Sequence, residues 1–194
     1  MHILLPLSLF TISCAPSLEE EWEWDDTPLQ ADTADTIEEE GVYSRSVDAT
    51  DYENWTYLDL ESNEVVSVDD PMTSEDWDIA LMRYHIKLNS GIHGPSTVQA
   101  LIITDESYDE YTVAAVGDYQ QDLPDSNEDD IPEYVFTEWF DYDPSTHILT
   151  PKEQFYVIEN RNRLYYKFQI ANYYSSAGTS GFMSIKWEEI TAPE

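Results

Sequence analysis

The side chains best suited to chemistry are three imidazoles and the cations near them. In "DWDIALMRYHIKLNSG", Asp76 to Gly91, the pattern reads as one long strand from Trp77 to Leu88. Its alternation puts Arg83, His85 and Lys87 on one face, about 7 Å apart in turn. Such a row can grip an anion, with Arg and Lys as donors and His as ligand or hydrogen-bond partner. In the competing reading the row offsets acids on neighbouring strands, which an acidic chain needs. His93 follows in "GIHGPS", a turn that is either a finger tip or plain punctuation. His147 lies in "DPSTHILTP", between Pro144 and Pro151. A neutral imidazole on a stiff exposed loop is suited to ligating iron. Its bland alternative is a loop histidine whose ring meets Asp143.

A second chemistry is spelled by "DSNEDDIPE", Asp125 to Glu133. Asp125, Asn127 and Asp129 alternate as oxygens do in a calcium loop. The sixth position is Asp130 where Gly would ease the turn, and the twelfth is Phe136 where a Glu would close the shell. The competing reading is a solvated acidic loop. No nucleophile elbow, H-E-x-x-H pair or phosphate-cradling glycine loop is present, so an enzyme is not expected.

The elements that must position these residues are strands. Runs rich in Val, Ile, Tyr, Phe and Trp are broken by Asp, Asn, Ser, Gly and Pro clusters. Expected strands are 55–60, 64–68, 77–88, 98–103, 111–116, 134–142, 154–158, 164–173 and 181–187. In "LYYKFQIANYY", Leu164, Tyr166, Phe168 and Ile170 line one face while Lys167 and Gln169 point away. No stretch carries a sustained helical stripe. The expectation is all-β: one antiparallel sandwich or barrel-like domain, 45–190, with projecting loops. Its longest polar insert, Gly117 to Tyr134, reads as a functional or disordered loop.

The chain has 194 residues, 41 acids and 8 bases, a formal net charge of −33. That charge repels nucleic acid and anionic headgroups and makes both poor partners. Residues 15–44 hold eleven acids and no Lys or Arg, so 14–44 is expected to be a disordered acidic tether. Without it the body still carries about −22. "ILLPLSLFTI" at 3–12 is too short to span a bilayer and leads into "SCAP", which marks residues 1–13 as a signal peptide. The single cysteine, Cys14, follows directly. It resembles the acylated cysteine of bacterial lipoproteins, with contact to the membrane through the lipid anchor only.

"VDATDYENWTYLDLESNEVVSV", "DWDIALMRYHIKLNSG", "YYKFQIANYY" and "GFMSIKW" together resemble the HmuY-like family of bacterial haem-binding lipoproteins, over Val47 to Trp187. The resemblance implies an all-β haem-capturing protein of the bacterial outer membrane, at the cell surface or facing the periplasm. It also implies haem as cofactor, an outer-membrane haem receptor as partner, and no catalysis. Such proteins hold the iron between two axial side chains on projecting loops. One falls in the loop that is here Gly117–Tyr134, which has no His or Met. The other falls in the loop that here holds His147. His85, His93 or a methionine (Met72, Met82 or Met183) then stands as second ligand. Arg83 and Lys87 would serve the propionates, and Tyr142 or Tyr119 the porphyrin face. The alternative is an interaction or structural lipoprotein of the same fold without haem, stabilised by calcium at Asp125–Glu133.

Overall fold

The computed structural model describes residues 37–39 and 41–193. The expected signal peptide, Cys14 and the tether through residue 36 lie outside the described residues. Twelve strands follow in order: β1 (Ile37–Glu39), β2 (Val42–Asp48), β3 (Thr56–Asp59), β4 (Glu64–Val66), β5 (Ile79–Met82), β6 (His85–Leu88), β7 (Gln99–Ile103), β8 (Phe140–Asp143), β9 (Ile148–Pro151), β10 (Phe155–Glu159), β11 (Tyr165–Tyr174) and β12 (Ser180–Ile190). No helix occurs among the described residues. One sheet runs β1-β2-β12-β11-β10-β7, a second β4-β3-β5-β6, and β8-β9 stands as a separate hairpin. Every strand pairing is antiparallel. The all-β expectation is met.

The two larger sheets face one another. The alternation of β12 turns Met183, Ile185 and Trp187 inward, and β11 adds Tyr166, Phe168 and Ile170. Opposite them lie Leu58, Ile79, Leu81, Ile86 and Leu88. After Ile170 the register against β12 shifts, and Tyr173 joins the buried side. The outer face of the six-stranded sheet is covered as well. There Phe155, Val157, Tyr165 and Ile190 pack under Tyr108, Tyr111 and Ala114.

Three expected strands differ. The run 77–88 is two strands joined by Arg83 and Tyr84, with Leu81 opposite Ile86 and Met82 opposite His85. Leu81 and Ile86 are five residues apart, so one regular strand would put them on opposite faces; the reversal brings both to the core. Arg83 takes the left-handed conformation, φ 53°, that the turn requires. The segment 111–116 is no ladder strand. It crosses the outer face, burying Tyr111 and Ala114, and meets the chain just past the end of β12 at Val113↔Thr191. Of 134–142 only the end is strand; a turn before β8 buries Phe136 and Trp139 at a three-residue spacing. β1 and the first three residues of β2 fall within the segment read as tether. β2 is held there by its ladder with β12, Val42 opposite Glu188.

Candidate functional site

A cleft of about 530 Å³ opens beside the β5–β6 and β8–β9 turns, within the range of small-molecule sites. Met82, Arg83, Tyr84 and His85 line one side, and His147 and Leu149 another. Tyr173, Tyr174 and the 178–180 turn complete it, with Tyr52 at the edge. Two contacts position the hairpins. Trp139 Nε1 donates to the Tyr84 carbonyl at 2.9 Å, and the Leu149 amide donates to the Tyr174 hydroxyl at 2.9 Å. The lining contains no Asp or Glu. Three other clefts of the body each hold at least two.

His147 sits on the β8–β9 turn at φ 59°, and its amide donates to the Asp143 carbonyl at 2.8 Å. The Asp143 carboxylate does not meet the ring. It accepts from Ser145 and Thr146, and the Ser145 hydroxyl does most to hold its pKa down. The imidazole is met instead by the Tyr142 hydroxyl, 2.5 Å from Nδ1. Nε2 remains for a ligand. Tyr142 therefore serves the histidine and is not part of the cleft wall. Tyr119, far along the chain, packs against Tyr165 on the outer face of the large sheet.

His85 opens β6, half-buried, its ring 4.2 Å from that of Tyr84 and 5.5 Å from that of Tyr134. Burial pushes its pKa below the usual histidine value, so it is neutral at pH 7. No hydrogen bond occupies its ring among the described residues. Met82, its cross-strand partner, shares the cleft. Met183 is buried in the core, and Met72 is exposed at the 70–74 turn.

The expected cationic row does not form. Arg83, at the turn, donates from Nη1 to the carbonyls of Thr50 and Ser180, both at 3.1 Å, and from Nη2 to Ser180 Oγ at 2.8 Å. Lys87 points into an aromatic cage, its Nζ 4.3, 5.2 and 5.4 Å from the ring centres of Trp55, Tyr57 and Trp77. Burial pulls its pKa to about 8, against the pull of Asp122. It does not line the cleft.

His93 also lies elsewhere. It stacks on Tyr134, centroids 5.3 Å apart. Its Nε2 is buried without a hydrogen bond, 3.7 Å from Asp122 Oδ2. Burial first, and then the charge of Lys87, brings its pKa to about 4. At pH 7 the pair is thus a neutral ring beside an acid, not an ion pair. Asp122 accepts from the amides of Leu88 and Val135, both at 2.8 Å, and so ties the insert to the edge of β6. Burial raises its pKa to about 6 even so.

The calcium expectation finds no support. Asp125 accepts from the amides of Asn127, Glu128 and Asp130, Asn127 from that of Asp129, and Asp129 from that of Ile131. These side chains satisfy their own turns. No group of three acids or histidines converges as a metal site among the described residues. The insert is closed by mutual bonds between Leu123 and Glu133. It borders a smaller cleft of about 210 Å³ that shares His85 and Tyr84 with the larger one.

The sequence did not single out Tyr52, Tyr84, Tyr173 or Leu149. Tyr84 carried a signal from its alternation with Ile86 and Leu88, and Tyr173 from its place at the end of the longest aromatic strand.

The family model described as HmuY protein matches residues 51–187. Among solved structures, a chain from Bacteroides vulgatus classed as HmuY-like and haem-binding is similar at 24% identity and TM-score 0.59, covering 79% of this chain and 96% of its own. A chain from Bacteroides fragilis classed as a lipoprotein is similar at 21% and 0.58, covering 79% and 94%. The apo HmuY analog of Tannerella forsythia is similar at 20% and 0.57, covering 82% and 98%. At these identities the likeness is one of fold. No curated protein matches the chain.

Proposed function

Because the chain belongs to the HmuY family, we propose that it binds haem in the larger cleft, with His85 and His147 as the residues that would hold its iron. One observation carries the reading: two imidazoles from different hairpins line one cleft that contains no acid. The donor set suits an iron porphyrin. His85 is kept neutral by burial, and its ring is free of hydrogen bonds among the described residues. His147 has Nδ1 tied by Tyr142, which fixes the ring as outer-shell partners of metal-bound histidines do. Bound haem would supply an iron centre that imidazole nitrogens can ligate. Tyr84, Tyr173 and Leu149 offer the apolar contact that provides most of the affinity, and the imidazoles set orientation. The role is capture and presentation, not catalysis. Acylation at Cys14 would hold the protein at a bacterial outer membrane, and an outer-membrane receptor would take the haem onward.

Haemin titrated into the folded body is expected to give a sharp six-coordinate Soret band. His147→Ala and His85→Ala should each weaken binding by about 10–100-fold and leave a five-coordinate spectrum. A broad band that neither substitution alters would overturn the reading and leave a surface lipoprotein of this fold without haem.

A further inference from the structure

We propose that Arg83 receives a carboxylate arm of the ligand and makes the cleft selective for anionic porphyrins over uncharged ones. The inference rests on the haem reading of the cleft. Arg83 is the only Lys or Arg in a lining that holds no Asp or Glu, in a chain with 41 acids. Among the described residues it forms no ion pair. Its bonds go to the Thr50 and Ser180 carbonyls and the Ser180 hydroxyl, all uncharged.

The hydrogen-bond inventory shows which edge is left. A guanidinium has five N–H groups. Nη1 spends two, on Thr50 O and Ser180 O, and Nη2 spends one on Ser180 Oγ. The Nε–H and one N–H of Nη2 carry no hydrogen bond among the described residues. A carboxylate that takes both on the side edge of the group meets the strongest geometry arginine offers.

The group is also held in place before any ligand arrives. Tyr52 lies against its flat face, 4.5 Å from ring centre to Cζ. The backbone is fixed in the turn at φ 53°, with the Arg83 amide donating to the Ala49 carbonyl at 2.7 Å. Gly181 leaves room for it: a Cβ there would stand 2.8 Å from Nη1. Lys87, caged by three aromatic rings, cannot share the task.

The test uses metal-free porphyrins, so that the imidazoles contribute no iron bond to the readout. Protoporphyrin IX, with two carboxylates, and its uncharged dimethyl ester are titrated into wild-type protein while tryptophan fluorescence is followed. The diacid is expected to bind about 10-fold more tightly or better, with the advantage shrinking as NaCl is raised. Arg83→Gln should bring the two within about 2-fold. Loss of the ties to Ser180 and Thr50 could unfold that variant, and the wild-type comparison stands without it. Equal binding of diacid and ester overturns the role of Arg83, and the haem reading survives if haemin still gives its six-coordinate band. Failure of both porphyrins and of haemin overturns both.

Discussion

A histidine on a hairpin turn becomes a dependable ligand when one of its ring nitrogens is tied down. Tyr142 does this for His147, two residues before the Pro144–Thr146 turn begins to bend the chain back. Tyr142→Phe removes only the hydroxyl, and haemin affinity should fall by about 10-fold with the fold intact. Asp78 offers a test that is independent of any ligand. It is fully buried; Oδ2 accepts the Leu60 amide at 2.9 Å, and Oδ1 has no partner. Burial above all raises its pKa to about 7. The folded state therefore keeps a proton that the unfolded chain has already released. The stabilisation is full below about pH 4 and is lost as pH rises through about 7. Between pH 5 and 8 wild type should lose roughly 2–3 kcal/mol more than Asp78→Asn, read from urea midpoints at each pH. Equal losses would mean that Asp78 titrates as an ordinary surface acid.

Among the elements, the β5–β6 hairpin shows what the sequence made legible. The phase change at Arg83 was visible, but alternation alone does not distinguish a bulge in one strand from a reversal between two. The reversal is decided by core packing: Leu81 and Ile86 must both face Phe168 and Trp187 across the sandwich. His85 and His147 were legible as candidates from residue type. Their meeting was not, because it depends on how two hairpins 60 residues apart settle against β11. The strands β10, β11 and β12 were plain in the sequence, since each is long, apolar on one face and rich in aromatics. The 111–116 segment misled because its Val and Tyr content suits a strand, while its buried residues follow a three-residue spacing. The turn carrying His93 depends on a contact no pattern reveals. The Asn89 side chain donates to the carbonyls of Ser74 and Trp77, at 3.1 and 2.8 Å, directly beneath Gly94. A Cβ at Gly94 would run into the Asn89 amide and stand 3.1 Å from the Pro71 carbonyl. Gly94→Ala should cost about 1–3 kcal/mol in urea unfolding. A neutral result would show that Asn89 can swing aside.

Over the whole molecule, charge is the dominant fact. Residues 45–194 carry about −22, and most of their bases are committed to the fold. Lys167, almost fully buried, pairs with Glu188 at 2.8 Å and donates to the Tyr108 carbonyl. Arg45 donates to the Asn63 carbonyl, and Lys186 lies 3.8 Å over the Tyr108 ring. Repulsion among the remaining acids opposes compaction, and salt screens it. Raising NaCl from about 10 to 150 mM should therefore lift Tm by about 2–4 °C, roughly 1 kcal/mol. A falling Tm would mean that the ion pairs outweigh the repulsion. The same commitment of cations governs cleavage by a protease that cuts after Lys or Arg. No such residue precedes Arg45. The bases set in ladders or packed under rings cannot enter a protease as extended chain. Arg163 stands out in the tight turn between β10 and β11, where Asn160 and Leu164 are bonded to each other. Trypsin should nick there first, and the two fragments would stay zipped along adjoining strands, the cut hidden until a denaturing gel pulls them apart.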